Sequence, residues 1–203
     1  MNFNNTKTAL NNFADVYTRA TELWKQVRHE VMTQYKEDFQ HAKLSEAKEI
    51  YENTLAEARK DNMNMAEKEL DEIRKRIEAV ALEPIPEDFT RTVEAFKNMR
   101  EVTETEYKAI ADHFKNNYLA YRAITDVLKD KNFFLPVVKV DDVLKELDYV
   151  KGQVRKCIYG SDPNTYIFKA TQHESFFAKY EEYFTDFLEG RFEKVGVEPE
   201  QAE

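Results

Sequence analysis

Residues 6–83 read TKTALNNFADVYTRATELWKQVRHEVMTQYKEDFQHAKLSEAKEIYENTLAEARKDNMNMAEKELDEIRKRIEAVALE, with no proline and no glycine. The first proline of the chain is Pro84 and the first glycine is Gly152. Ala, Leu, Glu, Lys, Arg, Met and Gln dominate the stretch, and these side chains lose little freedom on entering a helix. Its apolar residues recur at alternating steps of three and four, the period of one helix face. An unbroken helix of roughly 70 residues would be a rod on the order of 100 Å long, beyond what a compact domain needs.

Two seams stand out within it. In the first, Leu10, Tyr17, Trp24 and Val31 take heptad position a, and Phe13, Ala20 and Val27 take d. Val16 and Leu23 fall at g and widen the stripe, which suits a helix packed against more than one neighbour. Trp24, the only tryptophan, is expected to be buried in a helix–helix contact. The second seam, Met63, Ala66, Leu70, Ile73, Ile77 and Val80, is narrow and flanked by Glu67, Glu69, Arg74, Arg76 and Glu83, as in a coiled coil. One four-residue stutter would join the two stripes. A single rod and a hairpin are both open. The reading favours a long helix with a bend or turn near residues 61–64, where Asp61-Asn62 precedes the capping-box spacing of Asn64 and Glu67. Ser45 offers another start.

Beyond the rod, Pro84 and Pro86 make PIPEDF a stiff connector. A short helix over residues 87–99 would bury Phe89, Val93 and Phe96. Thr103 and Glu106 have capping-box spacing, and the helix they open is expected to run to about Lys131 on the stripe Tyr107, Ile110, Phe114, Tyr118, Tyr121, Ile124 and Leu128. FFLPVVKV at 133–140 reads as a loop or edge strand because of Pro136. A helix capped by Asp141 or Asp142 follows, with Leu144, Leu147, Val150, Val154 and Ile158 inside and Gly160 at its end. SDPN at 161–164 reads as a turn, and TYIFKA at 165–170 as a short strand that could pair with 133–140. Thr171 and Glu174 would cap the last helix. The expected fold is therefore mainly all-α: a long N-terminal helix or helical hairpin (1–83), a smaller helical bundle with at most two short strands (84–195), and a disordered acidic tail (196–203).

Composition narrows the function classes. The chain has 203 residues, 34% of them charged, and a net charge of −9. Residues 141–203 hold 14 acidic and 8 basic side chains, so the excess acid lies toward the C-terminal end. That balance disfavours binding to nucleic-acid phosphate and suits a basic protein surface. No window is long and apolar enough to span a membrane, and MNFNNTKTAL lacks a signal-type apolar core, so a cytoplasmic protein without export is expected. Four glycines, all after Val150, leave no phosphate loop, dinucleotide fingerprint or nucleophile elbow. The lone Cys157 allows neither a disulfide framework nor a cysteine-cluster zinc site and reads as a small buried hydrophobe. Asp38 and His41 share a helix face, but no Glu-x-x-His motif accompanies them, so a solvated face outweighs a metal site. Arg74-Lys75-Arg76 is flanked by Glu72 and Glu78 and reads as an ion-paired face. No catalytic residue, cofactor or metal is assigned.

Two surfaces are candidates for docking. One is the Met63–Val80 seam, paired between chains or with a partner. The other is the aromatic set of the last helix, Phe176, Phe177, Tyr180, Tyr183, Phe184 and Phe187, for which core packing competes with partner binding. Glu181, Glu182, Asp186 and Glu189 stand where a base-stacking platform would place Lys and Arg. The long glycine-free helix and the Asn/Lys/Glu/Tyr-rich composition are similar to those of many accessory proteins of phages and low-GC bacteria. That likeness implies a scaffold, virion-internal or head-associated role if the source is viral. The leading expectation is a non-enzymatic structural or assembly protein acting through self-association or a protein partner. The alternative is an acidic module that occupies a basic surface of another protein.

Overall fold

The computed structural model describes residues 1–130, 133, 136–160 and 170–193, the side chains of 170–173 excepted. The protein is all-α. Among the described residues there are seven helices and no strand beyond one isolated bridge, Val137 to Glu193. The helices are α1 (Asn4–Gln34), α2 (Glu37–Ala81), α3 (Phe89–Lys97), α4 (Glu104–Phe114), α5 (Tyr118–Lys129), α6 (Val140–Tyr159) and α7 (Ala170–Leu188). The expected turn at 161–164, the strand at 165–170 and the tail from 196 lie wholly or mostly outside the described residues.

The N-terminal stretch is two helices, and the break is not where the sequence suggested. It falls at Tyr35-Lys36, and α2 runs unbroken through Ser45 and residues 61–64. Tyr35 is extended (φ −106°, ψ 147°). The side chain of Gln40 then donates to the Tyr35 carbonyl at 2.9 Å, satisfying an acceptor that the end of a helix leaves open. Glu37 and Asp38 open α2, where acid complements the helix dipole. Asn62 does not turn the chain because its side-chain amide donates back to the Ala58 carbonyl at 2.8 Å, inside the helix.

The chain divides into two compact units that do not follow sequence order. α2, α6 and α7 each supply residues to both units.

One unit comprises Asn2–Asp71 and Tyr149–Phe177. Here α1 and α2 run antiparallel: Thr21 and Trp24 both meet Tyr51, and Thr6 meets Glu69. Phe3, Leu10, Phe13, Leu55, Met63, Ala66 and Leu70 are buried, together with Val150, Val154, Cys157, Ile158 and Phe177. Polar ties fix the register. Arg59 donates to the Ile158 carbonyl at 3.2 Å and lies over the Phe13 ring. Lys151 lies 3.5 Å from Glu67 and 3.6 Å from Asp71. Burial pushes the Cys157 thiol up to about 11, consistent with a packed hydrophobe.

The other unit comprises Met1, Glu72–Asp148 and the chain from Ala178. The capping box of Thr103 and Glu106 is present, with both reciprocal bonds made. The helix it opens stops at Phe114, and a new one starts at Tyr118. Asn117 explains the break. Its side chain accepts from the Ala120 N–H at 2.9 Å and donates to the Pro84 carbonyl at 2.9 Å, so it caps α5 and anchors the proline connector. Gly190 follows α7 with φ of +82°, and the chain then turns so that Val138 N–H donates to the Phe192 carbonyl at 2.9 Å. Val137 and Val138 thus pair with residues 192–193. α6 begins one residue before Asp141, and Val143, not Leu144, is its fully buried first-turn residue.

Candidate interaction surface

Both surfaces singled out from the sequence lie largely buried within the chain. Met63, Ala66, Leu70, Ile73 and Ile77 are each no more than 4% exposed, and Val80 is half-buried. Three of the flanking charges, Glu67, Glu69 and Arg74, have partners in the same chain. Glu67 faces Lys151, and Arg74 pairs with Asp148. Glu69 accepts the backbone N–H of Asn5 at 3.0 Å, the N–H of Thr6 at 2.8 Å and the Thr6 hydroxyl at 2.7 Å. The N-cap residue Phe3 has no side chain that can cap α1, so Glu69 supplies the cap from a neighbouring helix.

The aromatic set of α7 is likewise mostly core. Phe177, Tyr180, Phe184 and Phe187 are buried, while Phe176 and Tyr183 are half-buried. Phe177 packs on Phe3 with ring centroids 5.1 Å apart, and Phe187 packs on Tyr118 and Phe192. Burial, with Glu146 and Asp142 adding to it, pushes the Tyr183 phenol up to about 12.

What the chain leaves open lies at the turn end of the α1–α2 hairpin. Between residues 14 and 54 Val31 alone is buried. Leu23 is 57% exposed, Ile50 58% and Phe39 64%, and Met32 and Tyr35 are also exposed. A cleft of about 360 Å³ runs between the two helices, lined by α1 residues from Ala20 to Gln34, by Tyr35 in the turn and by α2 residues from Lys43 to Thr54. Its floor is apolar: Ala20, Trp24, Val27, Val31, Ala47 and Tyr51. Trp24 is half-buried and stacked on Tyr51, with ring centroids 6.1 Å apart, so it is less enclosed than the stripe suggested. The wide first seam suits more than one neighbour, yet along this length the cleft is walled by α1 and α2 alone. Leu23 at position g was legible in the sequence; its place level with Ile50 across the hairpin, set by Thr21 and Trp24 on Tyr51, was not.

Elsewhere, the basic side chains of a polar cleft are internally balanced. This cleft, of about 460 Å³, holds Lys108, Lys115 and Arg191. Each is already paired, with Glu104, Asp112 and Asp186 respectively. Asp38 and His41 are exposed. Among the described residues no group of three or more His, Cys, Asp or Glu side chains could hold a metal, and no helix is long and apolar enough to cross a membrane.

No protein-family model matches the chain, and no curated protein or solved structure is significantly similar to it.

Proposed function

We propose that this is a non-enzymatic assembly or docking protein whose working surface is the open face of the α1–α2 hairpin. One observation carries the reading: an apolar cleft flanked by the exposed Leu23 and Ile50, on a two-helix segment in which only Val31 is buried. Scattered exposed apolar residues are ordinary, but a contiguous apolar patch rimmed by charge is the usual mark of a protein contact. A third and fourth helix laid on the cleft would complete the burial that a two-helix layer cannot achieve. A place in the cytoplasm, or inside a virion if the source is viral, belongs to the same proposal.

The acidic-module alternative rests on the excess acid of residues 141–203. It has less free charge to draw on than the count suggests, since Asp148, Asp142 and Asp186 each have a cationic partner within the chain. The two readings separate in one experiment. Complexes isolated from the native host with wild-type protein are compared with those formed by Leu23→Asp/Ile50→Asp, whose helix content is checked by circular dichroism. Loss of the complexes from a folded variant supports apolar docking. Retention by that variant, with dissociation by moderate salt, favours the acidic surface.

A further inference from the structure

We infer that the occupant of the hairpin cleft is a second copy of this chain, related by a two-fold axis along the hairpin so that both turns lie at the same end. The inference rests on the docking reading above and adds the identity of the partner. It comes from the register of α1 against α2. Tyr51 is met by both Thr21 and Trp24, which sets Leu23 level with Ile50. Seven residues nearer the turn, each helix has advanced about 10.5 Å, and Glu30 is level with Lys43. All four side chains line the same cleft. The open face therefore presents an apolar rung of Leu23 and Ile50, then a charged rung of Glu30 and Lys43, with the acid on α1 and the base on α2.

A two-fold rotation about the hairpin's long axis lays α1 of one copy over α2 of the other at the same level. Leu23 then meets Ile50 of the second copy, and Glu30 meets its Lys43; symmetry repeats both contacts. Every helix lies antiparallel to its neighbours, the up-and-down arrangement of a four-helix bundle, and the interface is isologous and closed. A two-fold axis across the centre of these rungs, with the turns at opposite ends, would instead set Leu23 against Glu30 and Ile50 against Lys43. Lys43 is free to exchange partners, because its 3.0 Å contact with Glu46 joins two largely exposed side chains. The size is also suitable. Residues 14–34 of α1 with their α2 counterparts form a face about 30 Å long and about 20 Å wide, or about 600 Å², at the lower end of the ~600–1,000 Å² per partner of a specific interface.

Sedimentation of the full-length protein from micromolar to millimolar concentration tests the inference. The expected result is a concentration-dependent monomer–dimer equilibrium. Glu30→Lys and Lys43→Glu should each raise the dissociation constant by about tenfold, since each sets like charges together twice. An equimolar mixture of these two variants should form a 1:1 heterodimer, because both rungs are then complementary again. Ile50→Asp, a change at an exposed helix position, should give a folded monomer. A wild-type protein that stays monomeric throughout overturns the inference. So does a dimer for which the mixture associates no better than each variant alone. If the protein is monomeric but Leu23→Asp/Ile50→Asp loses complexes from the native host, the second copy is wrong and the docking reading stands. If those complexes are also unchanged, both fail.

Discussion

Glu69→Ala should uncap α1 from a distance of more than sixty residues in sequence. The Glu69 carboxylate takes three hydrogen bonds at that helix start: two from the backbone N–H groups of Asn5 and Thr6 and one from the Thr6 hydroxyl. Loss of a helix cap costs about 0.5–2 kcal/mol, and loss of a negative charge at the dipole a further ~0.3–1 kcal/mol. Thr6 is fully buried, so its hydroxyl would be stranded at about 1–3 kcal/mol. These effects overlap, and the expected loss is about 3 kcal/mol. Glu69→Gln keeps an acceptor without the charge and should lose about 1 kcal/mol. Thr6→Val provides the internal control. In the wild-type background it deletes a good hydrogen bond and should destabilise. Combined with Glu69→Ala it removes the stranded hydroxyl and should be neutral or stabilising, a coupling of about 1–2 kcal/mol. Urea unfolding followed by circular dichroism measures the cycle, and amide exchange at Asn5 and Thr6 localises it. Additivity within about 0.5 kcal/mol, or an unchanged stability in Glu69→Ala, would refute the capping role. A stability loss seen only at high protein concentration would return Glu69 to an interface between chains.

Asn117→Ala should cost about 2–3 kcal/mol in thermal unfolding, since it removes both the α5 cap and the bond to the Pro84 carbonyl; Asn117→Asp should retain the cap part alone. Gly190→Ala should cost about 1–3 kcal/mol, because the residue holds φ of +82° and a Cβ there would lie 3.3 Å from the Asn116 Cα. A Gly190→Ala protein as stable as wild type would mean the α7 terminus can take another conformation.

The helical content was legible because apolar residues recur at three and four almost everywhere, and the capping box at Thr103 was legible because its two residues are local. The helix breaks were not. Tyr35-Lys36 and Lys115–Asn117 contain neither glycine nor proline, and the apolar stripes continue on both sides of each. What ends the helices is a side chain finding a backbone group: Gln40 on the Tyr35 carbonyl, Asn117 on the Ala120 N–H. Asn62 has the same chemistry with the opposite outcome, since its amide bonds four residues back and the helix continues. An asparagine or glutamine therefore marks a place where a break is affordable, and tertiary packing decides whether it occurs.

The same distinction separates the two seams. Narrowness and flanking charge made the Met63–Val80 stripe look like an interface between chains, on the premise that Glu69 and Arg76 could not be brought near several helices without losing water. Arg76 does stay exposed. Glu69 gives up part of its hydration for three donors at the start of α1, and Glu67 and Arg74 face Lys151 and Asp148 of α6. A carboxylate compensated this way removes the argument against enclosing the seam. The wide stripe from Val16 to Val31 has the reverse fate. It carries more apolar surface than one antiparallel helix can cover, and the residues that overhang, Leu23 on α1 and Ile50 on α2, are left at the mouth of the cleft. A seam's outward or inward destiny is thus set by how many neighbours its width demands against how many the chain supplies. On that criterion the hairpin face, rather than the coiled-coil-like segment, is where apolar surface is left uncovered by the chain.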